Sequence, residues 1–396
     1  MMNIVLYDEP AIRASLLPFT FTRPVADIRI GILKISEKWE KWLGTQPSFQ
    51  TEDYLSSKFP KTSTEDNLFI NGAVCPNGSL VEAIKALSKN EALQLNGETI
   101  AVKTAADTLE DTSSVIEYTG DVTVVRDSWD IFKYNAAELK VDFELLTKGR
   151  VSQKIIDTHI IIYGVENIFV EEGASIKAAI LNAEDEPIYI GKNAQVHEGA
   201  IIKGPFALCE GSHVNMGAKI KGDTTIGPYS KVGGEISNSV IFGYTNKGHD
   251  GFLGNSVIGE WCNLGADTNT SNLKNNYADV KIWNYDKGGF KNTGEMFCGL
   301  MMGDHAKCGI NTMFNTGTVV GVGANIFGSG FPRNFIPSFS WGGAAGFTTF
   351  QMRKMHEVAE KVMERRAMTL NEEEKSILDH IFVSTAAYRV WEKKDS

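Results

Sequence analysis

From Ile190 onward, aliphatic side chains return every six positions, at Ile190, Val196, Ile202, Leu208, Val214, Ile220, Ile226 and Val232. The residues four places after each are Ala194, Ala200, Phe206, Ser212, Ala218, Thr224, Ser230 and Ile236, most of them small. The rhythm resumes at Ile258 and Leu264, and again at Met302, Cys308, Phe314, Val320 and Ile326. A period of six fits neither a helix nor one long strand, but it fits short strands joined by tight corners that need small side chains. Three such strands close a triangular coil of about 18 residues, in which each aliphatic points inward and stacks on its counterpart in the next coil. The pattern predicts a parallel β-helix from about Pro187 to Gly330.

Two breaks interrupt the rhythm. One lies between Val232 and Ile258, around Gly233, Gly234 and the polar segment Tyr244 to Asp250; the other is a longer polar insert between Thr268 and Met296. Loops extruded from a rigid scaffold are where binding and catalysis concentrate. In front of the repeat, the apolar run Ile4 to Tyr7 reads as a strand, and Ile28, Ile32, Ile35 and Trp39, spaced by three and four, read as one face of a helix. Alternating strand and helix signals predict an α/β domain with a parallel sheet. Beyond Gly330, the charged run from Thr348 to Lys394 reads as two amphipathic helices divided near Thr369 to Asn371, suited to capping an open β-helix end. The expected organisation is an α/β domain over 1–148, the β-helix over 149–330 and a helical cap over 331–396.

Composition narrows the function. The 396 residues carry a net charge of −10 with the basic residues scattered, so no stripe suits nucleic acid or a membrane surface, while one small basic pocket for a phosphate stays compatible. The segment Met1 to Pro10 lacks the pattern of a secretion signal and no run of about 18 apolar residues occurs, so a cytoplasmic chain is expected. The five cysteines, Cys75, Cys209, Cys262, Cys298 and Cys308, are odd in number and widely spaced, which reads as reduced, packed thiols.

The chemistry concentrates at the first break, Asn246-Lys247-Gly248-His249-Asp250-Gly251-Phe252-Leu253-Gly254, followed by Asn263-Leu264-Gly265-Ala266 and Thr270-Ser271-Asn272-Leu273-Lys274. In order and spacing, these elements resemble the acetyltransferase half of the bifunctional family that makes UDP-N-acetylglucosamine, including its archaeal sugar-1-phosphate relatives. The resemblance implies a left-handed β-helix, a homotrimer with active sites between neighbouring prisms, acetyl-CoA as acyl donor and glucosamine 1-phosphate as acceptor. It implies His249 as general base, a role that a neutral imidazole fits near neutral pH, with Asp250 beside it as an orienting group. It further implies Asn263 and Asn272 on the sugar or acyl carbonyl, Lys274 and Lys231 as phosphate contacts, and Ala266, Gly299 and Thr318 along the coenzyme A path. Phe252 stands where the bacterial family has tyrosine and Ser237 where it has lysine, so each loses a polar contact to the acceptor.

By domain order the front region resembles the nucleotidyltransferase half of the same family, with Ser128 to Asn135 like its closing helix, which would bring UTP and Mg2+. The glycine-rich phosphate loop is missing, since no glycine follows Tyr7 until Gly31. Arg13, Arg23, Arg29 and Asn71 are the candidates for phosphate contacts, and Asp8 for metal, because Ala73 occupies the place of the family's metal-binding aspartate. Two other readings remain open. One is a nucleotidyltransferase, using UTP or dTTP, whose β-helix serves only assembly. The other is a non-catalytic sensor of sugar nucleotides. A zinc site like that of the β-helical carbonic anhydrases would draw on His197, His213, His249 and His305, which lack that family's close histidine pair.

Overall fold

The computed structural model describes residues 2–109 and 112–392. The chain divides into two compact units. The first comprises residues up to Leu16, Thr20–Arg29 and Leu33–Asp127; the second comprises Leu17–Phe19, Ile30–Ile32 and everything from Ser128 onward.

The first unit is built on a six-stranded sheet: β1 (Asn3–Tyr7), β2 (Ser48–Gln50), β3 (Asn67–Asn71), β4 (Glu91–Leu95), β5 (Glu98–Thr104) and β6 (Ser114–Glu117), in the spatial order β2-β1-β3-β5-β4-β6. The pairs β1/β2, β1/β3 and β4/β6 are parallel, whereas β5 runs antiparallel to both β3 and β4. The sheet is thus mixed, not parallel, because β4 and β5 form a hairpin turning at Asn96 and Gly97, both with positive φ. Helix α1 (Pro10–Ser15) starts with proline at its first turn and Glu9 accepting from the Ile12 amide. Helix α2 (Ile35–Leu43) is shorter than its apolar spacing predicts. Ile28 and Ile32 are buried but not helical, since Gly31 takes φ +73° between them and the helix begins only past Lys34, whose amide donates to Glu37. Helix α3 (Gly78–Lys85) is capped by Asn77, whose side chain accepts from the Leu80 amide.

The second unit opens with α4 (Asp130–Lys133) and α5 (Asn135–Thr147), and α5 docks by Asn135, whose amide donates to Asp223 O and to Thr225 Oγ1. The sequence places this helix at the end of the front domain, and in the structure it packs on the coils that follow. A parallel β-solenoid follows, with three faces forming sheets of six, nine and ten strands, parallel except at a closing hairpin, Ser340–Gly343 with Gly346–Thr349. The six-residue rhythm is the core. Ile190 pairs with Leu208 and Leu208 with Ile226, Val196 with Val214 and Val214 with Val232, and every aliphatic rung of the repeat lies in one buried cluster. The solenoid extends beyond the repeat on both sides. It starts at Ile161–Tyr163 and continues past Gly330 through Phe335–Ile336 and Ser340–Gly343, where prolines and aromatics disguise the period.

The two breaks differ from each other. The second is an extruded insert carrying an antiparallel hairpin, Lys281–Asn284 with Gly289–Asn292. The first is not extruded: Glu235–Ser237, Val240–Gly243, Asn246–Lys247 and Phe252–Gly254 stay in register with the coils before them. The rhythm fails there because the coil is shortened, so that Ile236 and Ile241 stay inward at closer spacing, and because Lys247 takes the inward place that Val232 and Val214 occupy one and two coils earlier. At the far end, α6 (Met352–Glu364) buries Met355, Ala359 and Met363, and α7 (Glu372–Ser384) is capped by Asn371 and buries Ile377, Leu378 and Ile381.

Candidate active site

One face of the solenoid presents, in consecutive coils, an outward row of His213, Lys231, Asn246, Asn263 and Lys307. Strand alternation sends these side chains out while Val214, Val232, Lys247, Leu264 and Cys308 point in. The row floors a cavity of about 580 Å³ whose lining includes Asn215, Lys231, Asn246, His249, Asn263, Ala266 and Lys307. Val362, Arg365 and Arg366, at the C-terminal end of α6, line it too.

His249 sits on the corner after Lys247, exposed at the cavity. Its turn is fixed through the backbone. Asn215 Nδ2 donates to Gly248 O at 2.8 Å, and Lys247 Nζ donates to Gly233 O at 2.9 Å and to His249 O at 2.7 Å. Gly251, at φ +113°, is required, because a Cβ there would lie 2.1 Å from Thr268 O. Burial lowers the Lys247 ammonium to about 8, with Asp250, Cys308 and Asp267 drawing it partly back up. No hydrogen bond joins the His249 ring to Asp250, and both side chains face solvent, so the adjacency in sequence does not become an orienting contact among the described residues.

A second wall is aromatic. Tyr229, Tyr244, Trp261 and His305 occupy the same corner of successive coils, all with φ between 52° and 61°. Their rings stack at 5.4, 4.3 and 6.3 Å, and Tyr244 and Trp261 line the cavity. Left-handed backbone at bulky residues costs of order 1 kcal/mol or more each and persists only when surroundings enforce it. Behind Trp261, Lys307 donates to His305 O at 3.0 Å, and burial lowers its ammonium to about 8. Burial first, then the charges of Lys231, His197 and Arg366, lower His213, and burial followed by Arg365 lowers Arg366.

Of the residues the sequence singles out, Lys231, His249, Asn263 and Ala266 share this cavity. Phe252 and Asn272 do not line it; they meet beside Gly254, with Asn272 Nδ2 donating to Asn255 Oδ1 at 2.8 Å. Lys274 folds onto its own insert, donating to Asp279 O. Gly299 and Thr318 are buried in the coils. The Gly299 amide is used by Asn255 O, and the Thr318 hydroxyl donates to Asn315 O, so only Ala266 of the three coenzyme candidates reaches open space. Sequence reasoning missed Lys307, Arg365, Arg366, Asn215 and the aromatic wall. The signal available for the arginines was a basic pair ending the amphipathic run.

The front-domain candidates have other commitments. Asp8 is buried, accepting from the Val25 amide at 2.8 Å and Thr51 Oγ1 at 2.6 Å and pairing with Arg13 at 3.1 Å. Burial outweighs these partners and holds its carboxyl above the usual range. Arg13 also donates to Arg23 O and Tyr54 Oη, Arg23 is 3% exposed, Arg29 lies 3.8 Å from Glu37, and Asn71 Oδ1 accepts from the Ala73 amide. Among the described residues no group of three or more His, Cys, Asp and Glu side chains is placed to hold a metal. Asp8, already engaged by Arg13, Thr51 and the Val25 amide, has little capacity left to hold magnesium.

Residues 4–151 match the family of sugar nucleotidyl transferases. The chain is 29% identical over 160 residues to a bifunctional sugar-1-phosphate nucleotidylyltransferase/acetyltransferase of Sulfurisphaera tokodaii, covering 40% of this chain and 37% of that one. It is 36% identical over 87 residues to the bifunctional protein GlmU of Methanocaldococcus jannaschii, 22% and 21% of the two chains. To the protein of that name from Wigglesworthia glossinidia brevipalpis it is 28% identical over 178 residues, 43% and 33%. These matches span between 21% and 37% of the relatives' lengths. The chain thus joins a region similar to sugar nucleotidyl transferases to a parallel β-solenoid, and it resembles the bifunctional sugar-1-phosphate nucleotidylyltransferase/acetyltransferases.

Proposed function

We propose that the solenoid is an acetyl-CoA-dependent N-acetyltransferase acting on an amino-sugar 1-phosphate, with glucosamine 1-phosphate as the acceptor, in a cytoplasmic route to UDP-N-acetylglucosamine. The observation that carries this reading is the convergence of His249, Asn263, Lys231 and Ala266 on one polar cavity, with the His249 backbone tied down by Asn215 and Lys247. The acceptor nitrogen attacks the thioester carbonyl as His249 takes its proton. The C–S bond then breaks, and the thiolate of coenzyme A leaves and is protonated. Asn263 is the uncharged donor closest in kind to what a developing oxyanion needs. Phe252 and Asn272 lie on the neighbouring face, so their part in the site fits a homotrimer in which one prism's face meets the next.

Uridylyl transfer by the front domain is the companion activity that the relatives' names suggest. The saturated Asp8 cluster favours a chain in which that half does not carry magnesium-dependent transfer.

The test is release of free thiol from acetyl-CoA on adding glucosamine 1-phosphate. The chain should turn over, and His249→Ala should lower kcat by about 10²- to 10⁴-fold. Unchanged turnover in His249→Ala would remove the assigned base; no thiol release with any amino-sugar phosphate would remove the reaction.

A further inference from the structure

Four basic side chains, Lys231, Lys307, Arg365 and Arg366, line the cavity, and among the described residues its lining contains no aspartate or glutamate. This is unusual in a chain with net charge −10, where an acidic partner would cost nothing in composition. Burial is the larger cause and the crowding adds to it: Arg365 further disfavours the charged form of Arg366, and Lys231, His197 and Arg366 further disfavour the protonated form of His213. Among the described residues, Arg366 donates only to Asn246 Oδ1, at 3.3 Å, and Lys307 only to backbone carbonyls. Two arginines at a helix C-terminus are favoured by the helix dipole. That accounts for their place on α6 but not for the two solenoid lysines facing the same space. Unneutralised cations that converge on a cavity are stabilised by an anion that enters it, and the planar arginine fork matches phosphate oxygens.

We infer that Arg365 and Arg366 of α6, facing Lys231 and Lys307 across the cavity, form the subsite for a phosphate monoester, so that the C-terminal helix is part of the substrate-binding machinery as well as a cap. The inference rests on acyl transfer in this cavity. Two reactants carry a phosphate monoester, the amino-sugar 1-phosphate through its anomeric phosphate and coenzyme A through its 3′-phosphate.

Calorimetric titration of the full-length chain and of the Arg365→Ala/Arg366→Ala double variant separates them, using glucosamine 1-phosphate against glucosamine, and coenzyme A against dephospho-coenzyme A. The buried face of α6, Met355, Ala359 and Met363, is untouched by the double variant, and its thermal unfolding serves as the control for folding. The variant should bind one phosphorylated ligand at least tenfold more weakly while its unphosphorylated counterpart binds as before, and the affected pair names the source. The Arg365→Lys/Arg366→Lys variant should recover part of the loss. If the wild type binds the phosphorylated ligands and the alanine variant binds them equally well, the subsite is wrong while the acyl-transfer reading survives. A wild type that binds none of the four overturns both.

Discussion

Asp8 in the first unit and His249 in the second are both flagged by sequence, and their surroundings differ in one respect that decides their roles. Around Asp8 the polar groups answer one another: carboxylate, guanidinium, hydroxyl and amide leave little capacity for an outside ligand. Around His249 the protein ties down the backbone and leaves the side chains facing a cavity, with cations that it does not neutralise. A buried network that satisfies itself contributes to the fold, whereas groups left uncompensated at a cavity are placed for a ligand.

The contrast can be broken from either side. The largest effect is expected at Asp8. Replacing it with Asn leaves the buried Arg13 without its closest counter-charge and should cost about 3 kcal/mol of stability in urea unfolding, while thiol release by the folded protein stays unchanged. A loss of activity without a loss of stability would make Asp8 a site residue. Next is Lys247→Met, which keeps the inward rung filled but frees the carbonyl of His249. Turnover should fall about tenfold with little change in KM, since small displacements of a catalytic group are costly, and an unaffected kcat would show that the clamp positions nothing.

The smallest effect is a pH dependence. The folded-state ammonium of Lys247 is lowered to about 8, against 10.5 as its ordinary value. A lowered pKa means that the unfolded chain binds the extra proton between those limits, so stability from this group is present above about pH 10.5 and is lost as pH falls through about 8. Wild type should therefore gain stability relative to Lys247→Met, by about 1 kcal/mol, as pH rises from 8 to about 9. A difference that is flat across that range would place the ammonium in contact with water.

Much of the solenoid was legible because its core is a one-dimensional ladder. Each inward aliphatic from Ile190 to Val232 identifies itself by spacing alone, and all of them are buried. The coils before Ile190 and after Ile326 were not legible, since Ile162, Leu181, Ile336 and Gly342 depart from the six-residue count although their strands stay in register. The first break misled for two physical reasons: the shortened coil moves Ile236 and Ile241 off the six-residue count, and a lysine in the inward row looks like a loop residue until its ammonium is seen capping two carbonyls. In the site, His249, Asn263, Lys231 and Ala266 were readable because they fall within neighbouring coils. Arg365 and Arg366 were not, because helix α6 reaches the cavity from more than a hundred residues further along the chain, as the contact between Arg366 and Asn246 shows. The mixed sheet of the first unit was hidden by a local turn, Asn96-Gly97, that reverses one strand.

The central claim, that the cavity beside His249 is where acyl transfer occurs, is tested most directly by a crystal structure of the chain soaked with coenzyme A and glucosamine 1-phosphate. The account predicts the sugar amine within hydrogen-bond reach of the His249 ring, and a phosphate group of one reactant against Arg365 and Arg366. Both ligands bound elsewhere, with this cavity holding neither, would contradict it.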